Sequence, residues 1–240
     1  MKRLASHSQH LLRSPRLVRE LIGHSTIRRS DTVIDIGAGS GIITSALASR
    51  CRHVIAYEVD SRMVKRLREN TSEFTNVRII TKDFLDSPLP ELEYKVFANI
   101  PFHLSSAILR KLTEAANPPE AIYLIVQKQF AKKLVMGDDH FTGQLGAMVA
   151  PLYNVRIRRT LQRTDYWPHP AVDTVLVELL LRDEPLVAND QLANYRKFIA
   201  DCFSSPKIFK AKPLAAAGIS PEFKPSELTL EQWLRLFTVA

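Results

Sequence analysis

Thr32-Val33-Ile34-Asp35-Ile36-Gly37-Ala38-Gly39-Ser40-Gly41 is the stretch on which the fold turns. Its first five residues read as a buried strand, and residues 41–50 return to a helical pattern. Between them sit three glycines at alternate positions. Such a turn lets the backbone approach a ligand closely, and the start of the following helix aims its free N–H groups at it. The spacing is Gly37-x-Gly39-x-Gly41, not the G-x-G-x-x-G that normally cradles a dinucleotide pyrophosphate.

Working outward, strands and helices alternate. Residues 15–22 are predicted helical, with Ser14 as cap and Pro15 as the first helical residue. Strands are expected at 32–36, 53–58, 77–81, 95–98 and 121–126, with helices at 61–71, 105–116, 128–135 and 144–150. Short apolar strands separated by helices imply a parallel sheet covered on both faces. Two more strands, 155–160 and 174–181, lie close together across a stretch containing Pro168 and Pro170, which allows an antiparallel edge hairpin. Residues 137–140 read as a loop. After 184 the pattern turns to helices alone, clearest at 190–203 and 230–237. The expected division is a Rossmann-like domain over 1–184, with a basic arm at 1–30, and a small all-α domain over 185–240.

The chain has 240 residues, enough for one full domain and a small appendage. Its net charge of +8 is unevenly placed. Residues 1–30 hold Lys2, Arg3, Arg13, Arg16, Arg19, Arg28 and Arg29 against Glu20 alone, and Arg156, Arg158, Arg159 and Arg163 form a second basic stretch. Local excess of this kind suits a polyanion such as RNA, although charge kept for solubility reads the same way. Cys51 and Cys202 make neither a metal spacing nor a disulfide framework, which fits a reducing cytoplasm. No 18-residue apolar run predicts a membrane span, no secretory signal is readable, and no metal site is expected.

Three features at consecutive strand ends describe a cofactor site. The glycines of the turn, Gly37, Gly39 and Gly41, come first. Glu58 ends the second strand, where an acid accepts hydrogen bonds from ribose hydroxyls. Asp83-Phe84 follows the third strand, offering an acceptor and an apolar face to an adenine ring. Each alone has an ordinary structural explanation; together at strand C-termini they match where open α/β sheets bind ligands. The glycine spacing favours S-adenosylmethionine, with S-adenosylhomocysteine as product, over a nicotinamide cofactor.

Asn99-Ile100-Pro101-Phe102 supplies the reacting site. The exocyclic amine of adenine is a poor nucleophile because its lone pair is delocalised into the ring. An Asn oxygen and a nearby backbone carbonyl can accept from its two N–H groups, orient the nitrogen and stabilise the developing charge. Pro101 shapes the turn with Ile100, and Phe102 offers a face for the base, which must be unpaired or flipped out. Trp167, in Trp167-Pro168-His169-Pro170, is a candidate second wall; edge-strand packing explains it equally. His103 and His169 read as polar loop residues rather than acid–base catalysts.

Taken with Ser8-Gln9 and Pro168-His-Pro-Ala-Val-Asp173, these motifs resemble the rRNA adenine N6-dimethyltransferases, from about residue 6 to 237. The resemblance implies that Gln9, His10 and Leu11 join Gly37, Gly39, Glu58, Asp83, Phe84 and Asn99 around S-adenosylmethionine. It also implies that Asn99, Phe102 and Trp167 meet the target adenine, with Arg3, Arg13 and Arg16 on RNA. The family usually follows the Gln with Asn and Phe; here His10 and Leu11 stand there. Ile100 with Phe102, residues 207–212, Pro225-Ser226-Glu227-Leu228 and Trp233-Leu234-Arg235-Leu236-Phe237 resemble the Erm branch. That branch methylates adenine in the peptidyl-transferase region of 23S rRNA and confers macrolide–lincosamide–streptogramin B resistance. The expectation is therefore a cytoplasmic, monomeric 23S rRNA methyltransferase acting on free or partly assembled RNA. The alternatives are 16S rRNA dimethylation in small-subunit assembly and a non-catalytic nucleic-acid-binding factor that reuses the fold.

Overall fold

The computed structural model describes residues 10–137 and 141–240. Its main sheet has seven strands. In chain order they are β2 (Thr32–Ile36), β3 (His53–Tyr57), β4 (Val77–Ile80), β5 (Lys95–Asn99), β6 (Ala121–Gln127), β7 (Tyr153–Leu161) and β9 (Thr174–Leu181). Across the sheet the order is β4-β3-β2-β5-β6-β9-β7. The pairs β3–β4, β2–β3, β2–β5 and β5–β6 are all parallel. β7 and β9 are neighbours, as the sequence allows, but only β7 lies at the edge.

A separate two-stranded sheet joins β1 (Leu11–Leu12) antiparallel to β8 (Tyr166–Trp167), with Leu11 opposite Trp167. The sequence reading has neither strand. Two residues carry no detectable period, and the pairing partner lies far along the chain.

Of the helices α1 (Pro15–Gly23), α2 (Ile42–Ala48), α3 (Ser61–Asn70) and α4 (Ser105–Thr113), α1 and α3 are capped by a side chain at their start. Ser14 Oγ accepts from Leu17 N, with Pro15 at the first helical position. Asp60 accepts from Arg62 N in the same way at the start of α3. The strands β2, β5, β6 and β9 are apolar because both their faces are covered. In β6, residues 121–126 are all buried, so Leu124→Ala would cost about 2–5 kcal/mol.

The strand order positions the site. From β2 the chain goes to β3 and β4 on one side, then returns to place β5 on the other. Ligands of open α/β sheets bind beyond the strand C-termini at this point of reversal. The residues brought together there follow β2 and end β5, namely Gly37 and Asn99.

At the opposite end of the same strands, Lys95 opens β5 from a buried position. Its ammonium donates to Asp31 Oδ2 at 2.7 Å and Thr26 O at 3.0 Å, and lies 3.5 Å from Glu120 Oε2. A charge so buried persists only because it is paired.

Two compact units divide the chain. One comprises the described residues through Lys128 together with Arg158–Glu178. The other comprises those of Gln129–Ile157 with Leu179–Ala240, including α5 (Lys128–Lys132) beyond its first residue, α6 (Gln144–Val149), α7 (Leu192–Ser204), α8 (Pro206–Lys210) and α9 (Leu230–Val239). In this second unit fully buried Trp233 packs among Phe198, Phe203 and Phe209. Gly146 is required where α6 passes the backbone, since a Cβ there would lie 2.5 Å from Lys133 O.

Candidate functional site

The glycine turn is held from beneath by β3. The N–H groups of Gly37 and Ala38 both donate to Tyr57 O at 2.9 Å. Gly37, Gly39 and Gly41 have φ of +70°, +57° and +93°, the left-handed region that glycine enters without a Cβ penalty. Space is tight as well at two of them, where a leucine side chain would have to shift. A Cβ at Gly39 would lie 2.9 Å from Leu11 Cδ2, and one at Gly41 2.7 Å from Leu67 Cδ1.

Glu58 stands against this turn, buried at 2% exposure. Its Oε2 accepts from Gly39 N at 2.8 Å, and its Oε1 from Val59 N at 2.8 Å and Asp60 N at 2.9 Å. A carboxylate has about four lone-pair positions, so the acid that shapes the loop keeps room for one further donor. Asp83 accepts from Leu85 N at 2.8 Å and stays exposed. Phe84 is buried edge-on to Tyr57, with the Lys111 ammonium 5.3 Å from its ring centre.

Asp35, inside β2, carries the site's most unusual electrostatics. Its Oδ2 accepts from Thr44 Oγ1 at 2.6 Å, while Oδ1 is buried and has no partner among the described residues. Burial chiefly pushes its carboxyl up to about 7. The Thr44 hydroxyl pulls the other way and the Glu58 charge adds to the rise. The signal was present in the sequence, as an acid inside an otherwise apolar strand.

Asn99 ends β5 with its Nδ2 donating to His10 O at 2.7 Å. A carbonyl only accepts, so the amide must turn its NH₂ toward residue 10 and its Oδ1 away. His10 itself stacks on Phe102, with ring centres 5.8 Å apart and planes 26° from parallel. Its Nδ1–H is directed at Pro168 O, 2.9 Å away. Pro101 packs on Gly37, and Ile100 is buried at 2% exposure. His10, Leu11, Gly37, Asn99, Pro101 and Phe102 enclose only about 30 Å³. Beside them a cleft of about 450 Å³ opens between Leu11, Arg13, Ser40 and Trp167.

The structure therefore gathers His10, Leu11, the three glycines, Glu58 and the 99–102 turn. Trp167 borders the cleft and is 63% exposed. Arg13 lines the cleft, Arg16 is exposed on α1, and Gln9 and Arg3 lie outside the described residues. Sequence reasoning missed the His10 carbonyl, which any residue type supplies, and the role of Leu11 over Gly39.

Comparison with known proteins adds the family context. Residues 2–220 match the family described as ribosomal RNA adenine dimethylase. The ribosomal RNA small subunit methyltransferase A of Dehalococcoides mccartyi is 28% identical over 251 residues, covering 95% of this chain and 85% of that protein. The rRNA adenine N-6-methyltransferase of Saccharopolyspora erythraea is 29% identical over 242 residues, covering 95% and 63%. Among solved structures, the 23S rRNA methyltransferase ErmE superposes with a TM-score of 0.82 at 29% identity, covering 95% of this chain and 98% of that one.

Proposed function

Because the chain belongs to the ribosomal RNA adenine dimethylase family, and is an S-adenosylmethionine-dependent rRNA (adenine-N6) methyltransferase, we propose that Asn99 presents the target amine and that small-subunit rRNA carries the target. The single observation behind the first part is the Nδ2 bond to His10 O. It leaves Oδ1 as the free acceptor at the end of β5, the atom needed to receive an N–H of the adenine.

The residues present fit the cofactor. The glycine turn, without side chains, admits a close ligand, and Asp35, in the strand that leads into it, keeps a buried carboxyl oxygen without a partner among the described residues, which suits a ligand that carries positive charge. Gly37, Gly39, Gly41, Glu58, Asp83 and Phe84 would hold it, with His10 and Leu11 on the arm side. When bound, it supplies an electrophilic methyl group. The protein's part is to orient and desolvate. Asn99 Oδ1 and a neighbouring backbone carbonyl accept the two amine hydrogens, aligning the nitrogen and stabilising its developing positive charge. No strong base is needed, since the proton becomes acidic once the nitrogen is alkylated. The base stacks on Phe102, with Trp167 as the outer wall and Arg13 and Arg16 on the phosphates.

About 30 Å³ does not hold an adenine, and the His10 ring covers Phe102. In this reading the imidazole swings aside on base entry while its backbone carbonyl stays on Asn99. Residue 10 thus keeps its anchoring role whether it is His or the family's usual Asn.

The small-subunit target is supported by the name of the D. mccartyi relative, of which the chain covers 85%. The large-subunit, resistance-conferring target is the second reading, favoured by the superposition on ErmE. In either case the unit that holds the described residues through Lys128 and Arg158–Glu178 would carry the chemistry, in a protein working as a cytoplasmic monomer on free or partly assembled rRNA. The test is methyl transfer from labelled S-adenosylmethionine to protein-free 16S and 23S rRNA in parallel, with primer extension to locate the base. Label confined to 16S supports the first reading, and label at one adenine of the 23S peptidyl-transferase loop replaces it with the second.

A further inference from the structure

The N-terminal ends of the strands carry a cleft that the transfer reaction does not use. About 420 Å³ in volume, it has buried Ile22 and Ile27 among its lining residues and Arg19, Arg28, Arg29 and Arg50 around it. All four arginines are exposed. Its walls are tied together: Arg50 Nε donates to Ile27 O at 3.0 Å, and Arg28 N to Asp31 Oδ2 at 2.7 Å.

Among the described residues no acid is ion-paired with these arginines. Asp31 is engaged by Lys95, and Glu20 on α1 by Arg159. Among the described residues Arg19, Arg28, Arg29 and Arg50 make no ion pair. Four like charges around one concavity repel one another, an arrangement that favours an incoming anion. Planar guanidinium groups, each with five donors, match the oxygens of phosphodiesters. Surface charge kept for solubility would not need a shaped concavity with buried apolar residues in its lining.

Its position sets what it could touch. The loop bearing Arg28 and Arg29 precedes β2, and Arg50 follows α2, whereas Gly37 and Asn99 lie at the strands' other end. Five residues of β2 span roughly 16 Å at about 3.3 Å each. That distance is about five steps of a stacked strand at roughly 3.4 Å per phosphate. We propose that this cleft clamps the sugar–phosphate backbone of the rRNA substrate several nucleotides from the methylated adenine. The inference rests on the rRNA reading above and extends it from the reacting base to its flanking backbone.

The test compares the wild-type chain with Arg28→Glu/Arg29→Glu, and with Lys65→Glu/Arg66→Glu as a control of equal charge change on exposed residues of α3. Each is measured for binding to a long rRNA fragment over a salt series and for methylation of that fragment and of a short oligonucleotide bearing only the target. The cleft variant is expected to lose about tenfold or more in affinity for the fragment. Its slope of log affinity against log salt should shrink by about one per lost phosphate contact. Activity on the short oligonucleotide should be kept, and the control should stay within about threefold of wild type. Equal losses in variant and control would overturn the proposal, as would an unchanged salt slope or a matching loss on the short oligonucleotide. Fragment binding is read without methyl transfer, so a wild-type chain that binds but does not methylate rRNA would sink the functional reading while the cleft is still judged.

Discussion

The two ends of the parallel strands are built by different means. Beyond the C-termini the site is made of backbone: three glycines at positive φ, the N–H groups that Glu58 and Tyr57 O receive, and the His10 carbonyl that aims Asn99. Around the N-termini it is made of side-chain charge, with Lys95 paired inside and arginines left open outside. The difference follows from the work each end does. Methyl transfer needs atoms held to within a fraction of an ångström, and short covalent paths hold them best. A phosphate backbone needs only positive charge within reach, which long flexible side chains provide.

If that contrast is right, damage should sort by end. The largest effect on stability belongs to Lys95→Met, which removes a buried ammonium from half-buried Asp31 and from Thr26 O. Urea unfolding should show a loss of about 3–5 kcal/mol, while methyl transfer measured below the unfolding transition stays near wild type. Next comes Asn99→Ala, expected to slow single-turnover transfer by about 10²–10³-fold with little change in unfolding midpoint. Comparable losses of activity in both variants would erase the contrast. Gly41→Ala should cost about 1–3 kcal/mol, from positive φ and the clash with Leu67, and calorimetry would detect it as a lower Tm.

A graded, pH-dependent effect comes from Asp35. Its folded carboxyl is raised to about 7 from an ordinary 3.8, so the folded state holds the proton longer than the unfolded one. The resulting stability is fully present below about pH 3.8 and is lost as pH rises to about 7. The difference in unfolding free energy between wild type and Asp35→Asn should therefore fall with pH across that window. The slope is on the order of 1 kcal/mol per pH unit, and a flat difference would show that the carboxyl is not buried as described. Smallest of all, His10→Ala should leave transfer within about threefold, because the anchor for Asn99 is a carbonyl that alanine retains.

Much of the site proposed beyond the strand C-termini was legible in the chain. Thr32–Ile36, Gly37 to Gly41, Glu58 and Asn99 are chemically distinctive at positions set by local periodicity, and the strand order brings them to one place. Phe84 was legible as an aromatic but not as one turned inward against Tyr57. The pairing of Leu11–Leu12 with Tyr166–Trp167 left no trace because two-residue strands have no period. The arginine cleft was visible only as an excess of charge, since its residues come from α1, a loop and the end of α2.

The sequence by itself determined the alternation of apolar strands and helices, and through it a parallel sheet whose ligands sit beyond the strand C-termini. It did so because helix and strand periods are written in residues a few places apart, and because right-handed crossovers leave few ways to connect them. Only the tertiary structure decided which way the Asn99 amide faces and which arginines share one concavity. The amide is turned by a backbone carbonyl 89 residues away. Every residue type has that carbonyl, so no choice of amino acid at position 10 could announce it.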